Sequence, residues 1–384
     1  MAHSKDIVAN FNNFKDKHGI KGIVFALVIV ALILSGAFYF FNRGYTGIKV
    51  INSISVGANA SVKYKTYNGN ILRYSSDGIT CLNERFESLW TQGYSMQQPM
   101  VDICGEYVAV GDPGGEEMFL FDSKGLVKKI NITYTLEDFK VSGKGGIFTV
   151  LSDGDRKYMK YYDREGELIA EGMVQLKKTG YPLSFDVSED GRLVIMSYLF
   201  VSNGVMKTNV SFYNFDSAGE SALDRIVASF EYKDTVIPEV CFFGSDCAVA
   251  AGDSMALLFE GTETPVLKKT ITYPRDVESF IFDKDRFGIV YTPDEESTAY
   301  KAEVYRSNGS RLSAFNIDMD YDNICFSGNH VLVYRDDMCK LITLSGNVRL
   351  DHTFENRITG MVPVNGKERF ILITNESVGL ISLI

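Results

Sequence analysis

Short apolar runs separated by turns rich in Gly, Asp, Asn and Ser fill residues 59–384 and predict β-strands. One unit recurs: an apolar run, a turn, a second apolar run and a polar break. Eight such units are found, and their turn residues are Gly69, Gly105, Gly145, Gly191, Gly244, Asp285, Gly328 and Gly366. Successive turns lie on average about 42 residues apart, the length of a four-stranded propeller blade. The pattern predicts an all-β, eight-bladed β-propeller.

The last unit supplies only three strands, so one strand of its blade must come from elsewhere. The segment Gly47–Val56, at the start of the domain, has the alternating pattern of a strand. Pairing this segment with the last strand would close the ring and remove an open sheet edge. We therefore expect the two ends of the domain to share one blade.

The longest uncharged segment precedes the repeats and predicts a transmembrane helix. Its core, Ile23–Phe41, is 19 residues long, enough to cross a hydrocarbon layer of about 30 Å. Lys15, Lys17 and Lys21 precede it, and basic residues favour the cytoplasmic side. The expected order is a cytoplasmic tail (1–21), a transmembrane helix (22–42), a linker with the ring-closing strand (43–58) and an extracytoplasmic propeller (59–384). A signal peptide cleaved after Ser35-Gly36-Ala37 is the alternative.

The net charge argues against a nucleic-acid partner, and the positions of the cysteines argue against disulfides. The formal net charge is -10, although the first 43 residues are basic on balance. An acidic domain repels phosphate backbones, so no nucleic-acid partner is expected. Cys104, Cys241 and Cys325 fall at one equivalent position of three repeats, and Cys81 and Cys339 fall at another, so the cysteines are predicted to be buried thiols. Cys241 and Cys247 are the one pair that a hairpin could bring together.

The unit ITCLNERFESLW and its counterparts resemble the repeats of quinoprotein-like and WD40-like propellers. The whole chain resembles an uncharacterised family of membrane-anchored propellers of Gram-positive clostridia. This resemblance implies the fold and the topology, and no activity. Quinone-dependent dehydrogenases of this architecture carry a Trp in most blades, whereas this chain has only Trp90. No quinone or other cofactor is expected.

Motifs for catalysis or metal binding are missing from the sequence. His330 and His352 lack metal-ligand spacing. The run Asp318-x-Asp320-x-Asp322 hints at calcium but lacks the Gly and Glu of a calcium loop, and predicts a solvated acidic loop. We assign no catalytic, cofactor-binding or metal-binding residues. A pair of carboxylates from different blades could still meet on the propeller axis.

The fourth unit differs from the others. It is the longest, and Ser202-Asn203-Gly204 is a strong signal for a tight hairpin. We expect its strands to extend past their neighbours and to carry Tyr198, Leu199, Phe200 and Val201 towards the rim. These four residues are the predicted partner-binding site, and a longer strand packed on the next blade is the alternative.

Together these features predict a membrane-tethered, extracytoplasmic propeller that binds a protein or another component of the cell envelope. The rival is an enzyme acting on glycans or peptidoglycan at the propeller axis. Several Asp, Glu and His residues in a deep axial pocket would favour the enzyme.

Overall fold

The computed structural model describes residues 24–25, 27–32, 36, 43–55, 62–174, 180–294, 297–364 and 368–384. Within these ranges, 32 strands form eight four-stranded antiparallel sheets. The prediction of an all-β, eight-bladed propeller is confirmed. The predicted turn residue Gly366 lies outside the described residues.

The strand bounds follow the predicted units closely. Blade 1 comprises β2 (Lys63–Tyr67), β3 (Asn70–Ser75), β4 (Gly78–Leu82) and β5 (Ser88–Gly93). Blade 2 comprises β6 (Met100–Cys104), β7 (Tyr107–Gly111), β8 (Glu117–Asp122) and β9 (Gly125–Asn131). Blade 3 comprises β10 (Thr135–Val141), β11 (Ile147–Asp153), β12 (Arg156–Tyr162) and β13 (Leu168–Val174). Blade 4 comprises β14 (Tyr181–Val187), β15 (Leu193–Ser202), β16 (Val205–Asn214) and β17 (Ile226–Lys233).

The second half of the ring repeats this plan. Blade 5 comprises β18 (Glu239–Phe243), β19 (Cys247–Ala251), β20 (Met255–Glu260) and β21 (Val266–Thr272). Blade 6 comprises β22 (Val277–Phe282), β23 (Arg286–Tyr291), β24 (Tyr300–Arg306) and β25 (Arg311–Ile317). Blade 7 comprises β26 (Asn323–Ser327), β27 (His330–Arg335), β28 (Met338–Thr343) and β29 (Val348–Thr353). Blade 8 comprises β30 (Ile358–Val364), β31 (Arg369–Thr374), β32 (Ser377–Leu383) and β1 (Ile48–Ser55). A short helix, α1 (Ser217–Glu220), and a 3₁₀ turn (Leu223–Arg225) replace a simple turn before β17.

We call the four strands of a blade a to d, from the axis outwards. The a strands of neighbouring blades contact one another around the axis, for example β14 with β18 and β6 with β10. Because the strands are antiparallel, the connections alternate between two faces of the ring. The a–b and c–d connections lie on the face where Gly47 and Ile384 meet, which we call the N-terminal face. The b–c and d–a connections lie on the opposite face, which we call the far face.

Ring closure follows the prediction. Strand β1 pairs antiparallel with β32, from Ile48 opposite Leu383 to Ser55 opposite Ser377. The Ile384 N–H donates to the Gly47 carbonyl at 3.0 Å, which extends this pairing to the chain end. The first strand of the domain therefore completes the last blade.

The hydrophobic core lies between the blades, because a single sheet cannot cover its own two faces. Phe148 of blade 3 packs edge-on against Phe185 of blade 4, with ring centroids 5.4 Å apart. Trp90 of blade 1 stacks on Phe121 of blade 2 at 5.1 Å. Such aromatic contacts add to the area that the sheets bury against each other.

Only part of the predicted transmembrane segment is described. The backbone of residues 24–25, 27–32 and 36 is helical. Among the described residues, no helix is both long enough and apolar enough to cross a membrane. The predicted cytoplasmic tail, residues 1–21, lies outside the described residues.

Candidate functional site

The hairpin of blade 4 has the turn that its sequence predicts. Ser202 pairs with Val205 across a two-residue turn, and both turn residues, Asn203 and Gly204, have positive φ. Asn and Gly adopt this conformation at low cost, and it matches the twist of the strands. The two strands are 10 residues each, so this hairpin is long for the ring.

The hairpin extends beyond its neighbours on both sides. The described ladder with β14 ends at the Tyr181–Leu199 pair, and the ladder with β17 ends at Lys207–Lys233. Residues 200–206 therefore form a tip that we call the blade-4 tip. The blade-4 tip lies on the far face, since it is a b–c connection.

The four residues predicted to bind a partner do not share one environment. Tyr198 is fully buried, and its hydroxyl lies 2.6 Å from the Tyr213 hydroxyl, within hydrogen-bond distance. Leu199 and Phe200 are half-buried, whereas Val201 is 71% exposed. Tyr198 belongs to the core because strand b is covered by the neighbouring blade at that level. Only the residues beyond it reach the rim.

Two further apolar residues complete the blade-4 tip. Val205 and Met206 are exposed, and Met206 stands directly opposite Val201. The predicted two-residue turn already implied this register, so both residues could have been found from the sequence. Phe200 is flanked by Lys207, whose ammonium lies 5.8 Å from the ring centroid. The tip therefore presents Val201 and Met206 side by side on one face of a paired hairpin, with Val205 on the other face.

The other b–c connections of the far face are acidic. Each of the seven other blades exposes a carboxylate there, and these residues are Asp77, Glu116, Asp155, Asp253, Asp294, Asp336 and Glu376. The described residues of all eight b–c connections include no Lys or Arg. Among the b–c connections of the described residues, the connection of blade 4 is thus the one without a charged residue.

Polar side chains on the a strands join adjacent blades at the axis. The Asp102 carboxylate accepts the Val141 N–H of the next blade at 2.7 Å. The Asp186 carboxylate accepts the Phe242 N–H of its own next blade at the same distance. Because strand a is the inner edge of each sheet, its backbone groups need partners from outside the ladder. These carboxylates supply them.

The same axial region contains two lysines whose pKa values shift in opposite directions. The Lys65 ammonium donates to the Val101 carbonyl at 2.5 Å, and burial lowers its pKa. Burial alone would also lower the pKa of Lys140, but Asp102 and Asp186 raise it above its usual value. The Lys140 ammonium lies 3.7 Å from the Asp102 carboxylate. Burial raises the pKa of Asp186 to about 6, against the attraction of Lys140.

From the sequence we expected only that a pair of carboxylates from different blades could meet on the axis. The residues of this cluster were not identified. Lys65, Asp102, Lys140 and Asp186 are polar residues within otherwise apolar a strands, shortly before the repeat turn. Alignment of the repeats at that turn would have brought them together. The described a strands contain no histidine, and the two carboxylates of Asp102 and Asp186 already bind backbone N–H groups.

The remaining candidates of the sequence are placed as follows. All six cysteines are free, and Cys241 pairs with Val249 across the ladder rather than with Cys247. Burial raises the pKa of the Cys104 thiol to about 12, helped by Asp186. Cys81 and Cys339 are buried as predicted, whereas the other four cysteines, Cys104 among them, are half-buried. A raised pKa keeps a thiol protonated and therefore less reactive.

The acidic run is held by a cation of the chain, and His330 lines a cavity with Thr66 of blade 1 and Val364 of blade 8. Arg335 lies 3.3 Å from Asp320 and 3.6 Å from Asp322, so a cation of the chain itself occupies this loop. No group of three or more potential metal ligands occurs among the described residues. Burial lowers the pKa of His330, and the His352 ring packs edge-on against Phe354 at 4.7 Å.

Solved structures that share this fold have little sequence in common with it. BamB from Moraxella catarrhalis is 12% identical with a TM-score of 0.54, over 88% of this chain and 100% of the BamB chain. The Dos1 propeller is 13% identical with a TM-score of 0.50, over 89% of this chain and 95% of that chain. At this level of identity the likeness concerns the fold alone.

A search of curated protein sequences found no match to this chain. A family profile does match, and it spans nearly the whole described propeller. The resemblance to an uncharacterised propeller family is thereby confirmed at the level of the family, while the membrane anchoring and the clostridial origin stay predictions. The profile of DUF5711, a family of unknown function, matches residues 41–383, and the chain therefore belongs to this family.

Proposed function

We propose that the protein is a single-pass membrane protein whose propeller acts outside the cytoplasm as a protein-interaction module. The uncharged segment 22–42 and the lysines before it support this topology. The linker that follows is hydrogen-bonded to the ring, with the Tyr45 N–H donating to the Arg349 carbonyl at 2.6 Å. The ring is thus held close to the end of the apolar segment.

The blade-4 tip carries the proposal of a protein partner. It combines Val201, Val205 and Met206 on a hairpin whose register is fixed by a tight turn. Preformed anchors bind with a small loss of conformational entropy, and a few well-packed residues near the centre of an interface carry most of its binding energy. The surrounding b–c connections carry carboxylates. The fitting partner has an apolar pocket bordered by Lys and Arg.

Topology is tested by adding protease to intact cells and to spheroplasts. We expect digestion of the propeller and protection of residues 1–21, because the lysines hold the tail inside. Protection of the propeller in spheroplasts would contradict the topology.

Partner binding is tested by purifying the full chain from membranes and identifying the proteins that come with it. Val201→Ser removes the exposed apolar side chain of the tip, and we expect it to reduce recovery of the partner. Met338→Ser is the matched control, because Met338 is also exposed at a b–c connection, in blade 7. Equal loss with both variants, or with neither, would contradict binding at the blade-4 tip.

A further inference from the structure

A β-bulge recurs at the same place in all eight blades. Between strands c and d the register slips by one residue, within three residues of the end of strand c. Six of the eight residues that the register skips are aliphatic: Leu89, Val127, Ile169, Val227, Leu312 and Ile51. The other two are Lys268 and Arg349. We call these eight residues the bulge belt.

The bulge belt lies on the outer strands, next to the c–d connections of the N-terminal face. Five of its six aliphatic residues are exposed, from 36% for Leu312 to 51% for Leu89. Their neighbours Leu126, Leu168 and Val348 are exposed as well. A bulge blunts an outer strand against pairing with another sheet. That role does not require an apolar residue, and a repeated band of exposed aliphatic side chains is typical of a surface that something covers.

The path of the chain indicates what covers it. The linker crosses the belt at blade 7, where the Tyr45 N–H donates to the carbonyl of the bulge residue Arg349. The Arg349 guanidinium lies 4.8 Å from the centre of the Tyr45 ring. Only six residues separate Arg43 from Gly36, in the apolar segment, and they span about 20 Å at most. The belt and the apolar segment are therefore neighbours.

The connections of both faces carry carboxylates, and basic residues also occur at the belt itself. Lys128 and Arg311 lie next to belt residues on the outer strands, and Lys268 belongs to the belt. The a–b and c–d connections of the same face also carry carboxylates. The b–c connections of the far face carry carboxylates and no basic residue in their described parts. Anionic lipid headgroups attract the basic side chains at the belt.

We infer that the bulge belt rests on the lipid bilayer, so that the propeller lies with its N-terminal face on the membrane and its far face outwards. This inference rests on the membrane tether proposed above. Aliphatic side chains enter the interfacial layer, and the basic residues beside them meet the headgroups. The blade-4 tip is then held away from the membrane, where a partner can reach it.

Quenching of tryptophan by brominated lipid tests the belt directly. The full chain is reconstituted into vesicles of zwitterionic and anionic phospholipid, with and without bromine on the acyl chains. Ile169→Trp and Leu312→Trp place a reporter on two separate blades of the belt, and Val201→Trp is the matched control on the far face. Trp90 is the one native tryptophan, so the unsubstituted protein supplies the common baseline.

We expect brominated vesicles to remove roughly half or more of the added fluorescence at residues 169 and 312, since interfacial groups sit about 5–10 Å deep, and none at residue 201. Quenching at residue 201 to the same extent would overturn the orientation. If the protein floats with the vesicles but neither belt reporter is quenched, the belt is overturned and the tether stands. If the protein does not float with the vesicles, both the belt contact and the membrane tether are overturned. A variant that fails to melt like the unsubstituted protein is replaced by the other belt position.

Discussion

The buried hydroxyl pair of blade 4 allows a quantitative test of how this hairpin is built. Tyr198 and Tyr213 stand on strands b and c with their oxygens 2.6 Å apart, and both side chains are almost entirely buried. Tyr198→Phe leaves the Tyr213 hydroxyl buried without this partner. Leaving a buried polar group unpaired costs about 1–3 kcal/mol. We expect the free energy of unfolding to fall by that amount.

The double variant Tyr198→Phe/Tyr213→Phe separates the hydrogen bond from the loss of each hydroxyl. Because no unpaired oxygen remains, its loss of stability should be smaller than the sum of the two single losses, by about 1 kcal/mol or more. Guanidinium unfolding of the detergent-solubilised full chain, followed by circular dichroism, measures all four proteins. Tyr181→Phe is the control, because Tyr181 is exposed on the same blade, and it should change stability by less than about 0.5 kcal/mol.

Two results would refute this reasoning. Additive losses would mean that the hydroxyls do not bond. Unchanged stability in Tyr198→Phe would place Tyr198 at the surface, as the sequence pattern alone suggested. Partner recovery should be unaffected by this substitution, because the hydroxyl does not reach the blade-4 tip.

Three further predictions concern the ring, the thiols and the axis. Deleting residues 47–56 should lower the melting temperature and promote aggregation, because β32 loses its partner and becomes an open edge; an unchanged melting curve would contradict ring closure. The denatured, non-reduced protein should react with six equivalents of an alkylating reagent, matching the six free cysteines, and four or fewer would indicate a disulfide. Burial raises the pKa of the Asp186 carboxyl to about 6, so its protonated form stabilises the fold below about pH 4 and this contribution is lost as the pH rises through 6. Asp186→Asn keeps an acceptor for the Phe242 N–H. From pH 4 to pH 7, the free energy of unfolding of the unsubstituted protein should fall by at most about 3 kcal/mol relative to that of this variant. If the difference between the two proteins does not change with pH, the carboxyl is not desolvated.

Local patterns in the sequence were enough to predict the architecture. The number of blades follows from the repeat of turn residues, and the tight turn at Asn203-Gly204 follows from the two residue types that tolerate positive φ. Ring closure followed from counting strands, because a propeller with one strand missing must take it from the other end of the domain. These features depend on short stretches of backbone or on whole-chain arithmetic, and both are visible in one sequence.

Which side chains are covered was decided by the tertiary structure. Strands b and c are packed on both sides by neighbouring blades, so their apolar runs lack the alternation that reveals an exposed face. Tyr198 was therefore expected near the rim although it is buried. The hydrogen bond from the Phe242 N–H to Asp186 joins residues 56 positions apart. The bulge belt depends on a register slip that cannot be predicted from the residue types. The sequence by itself determined eight blades, one closed ring and one unusual hairpin, because turns and strand counts are local; only the packing of blade against blade decided which of their residues face the axis, the core or the outside.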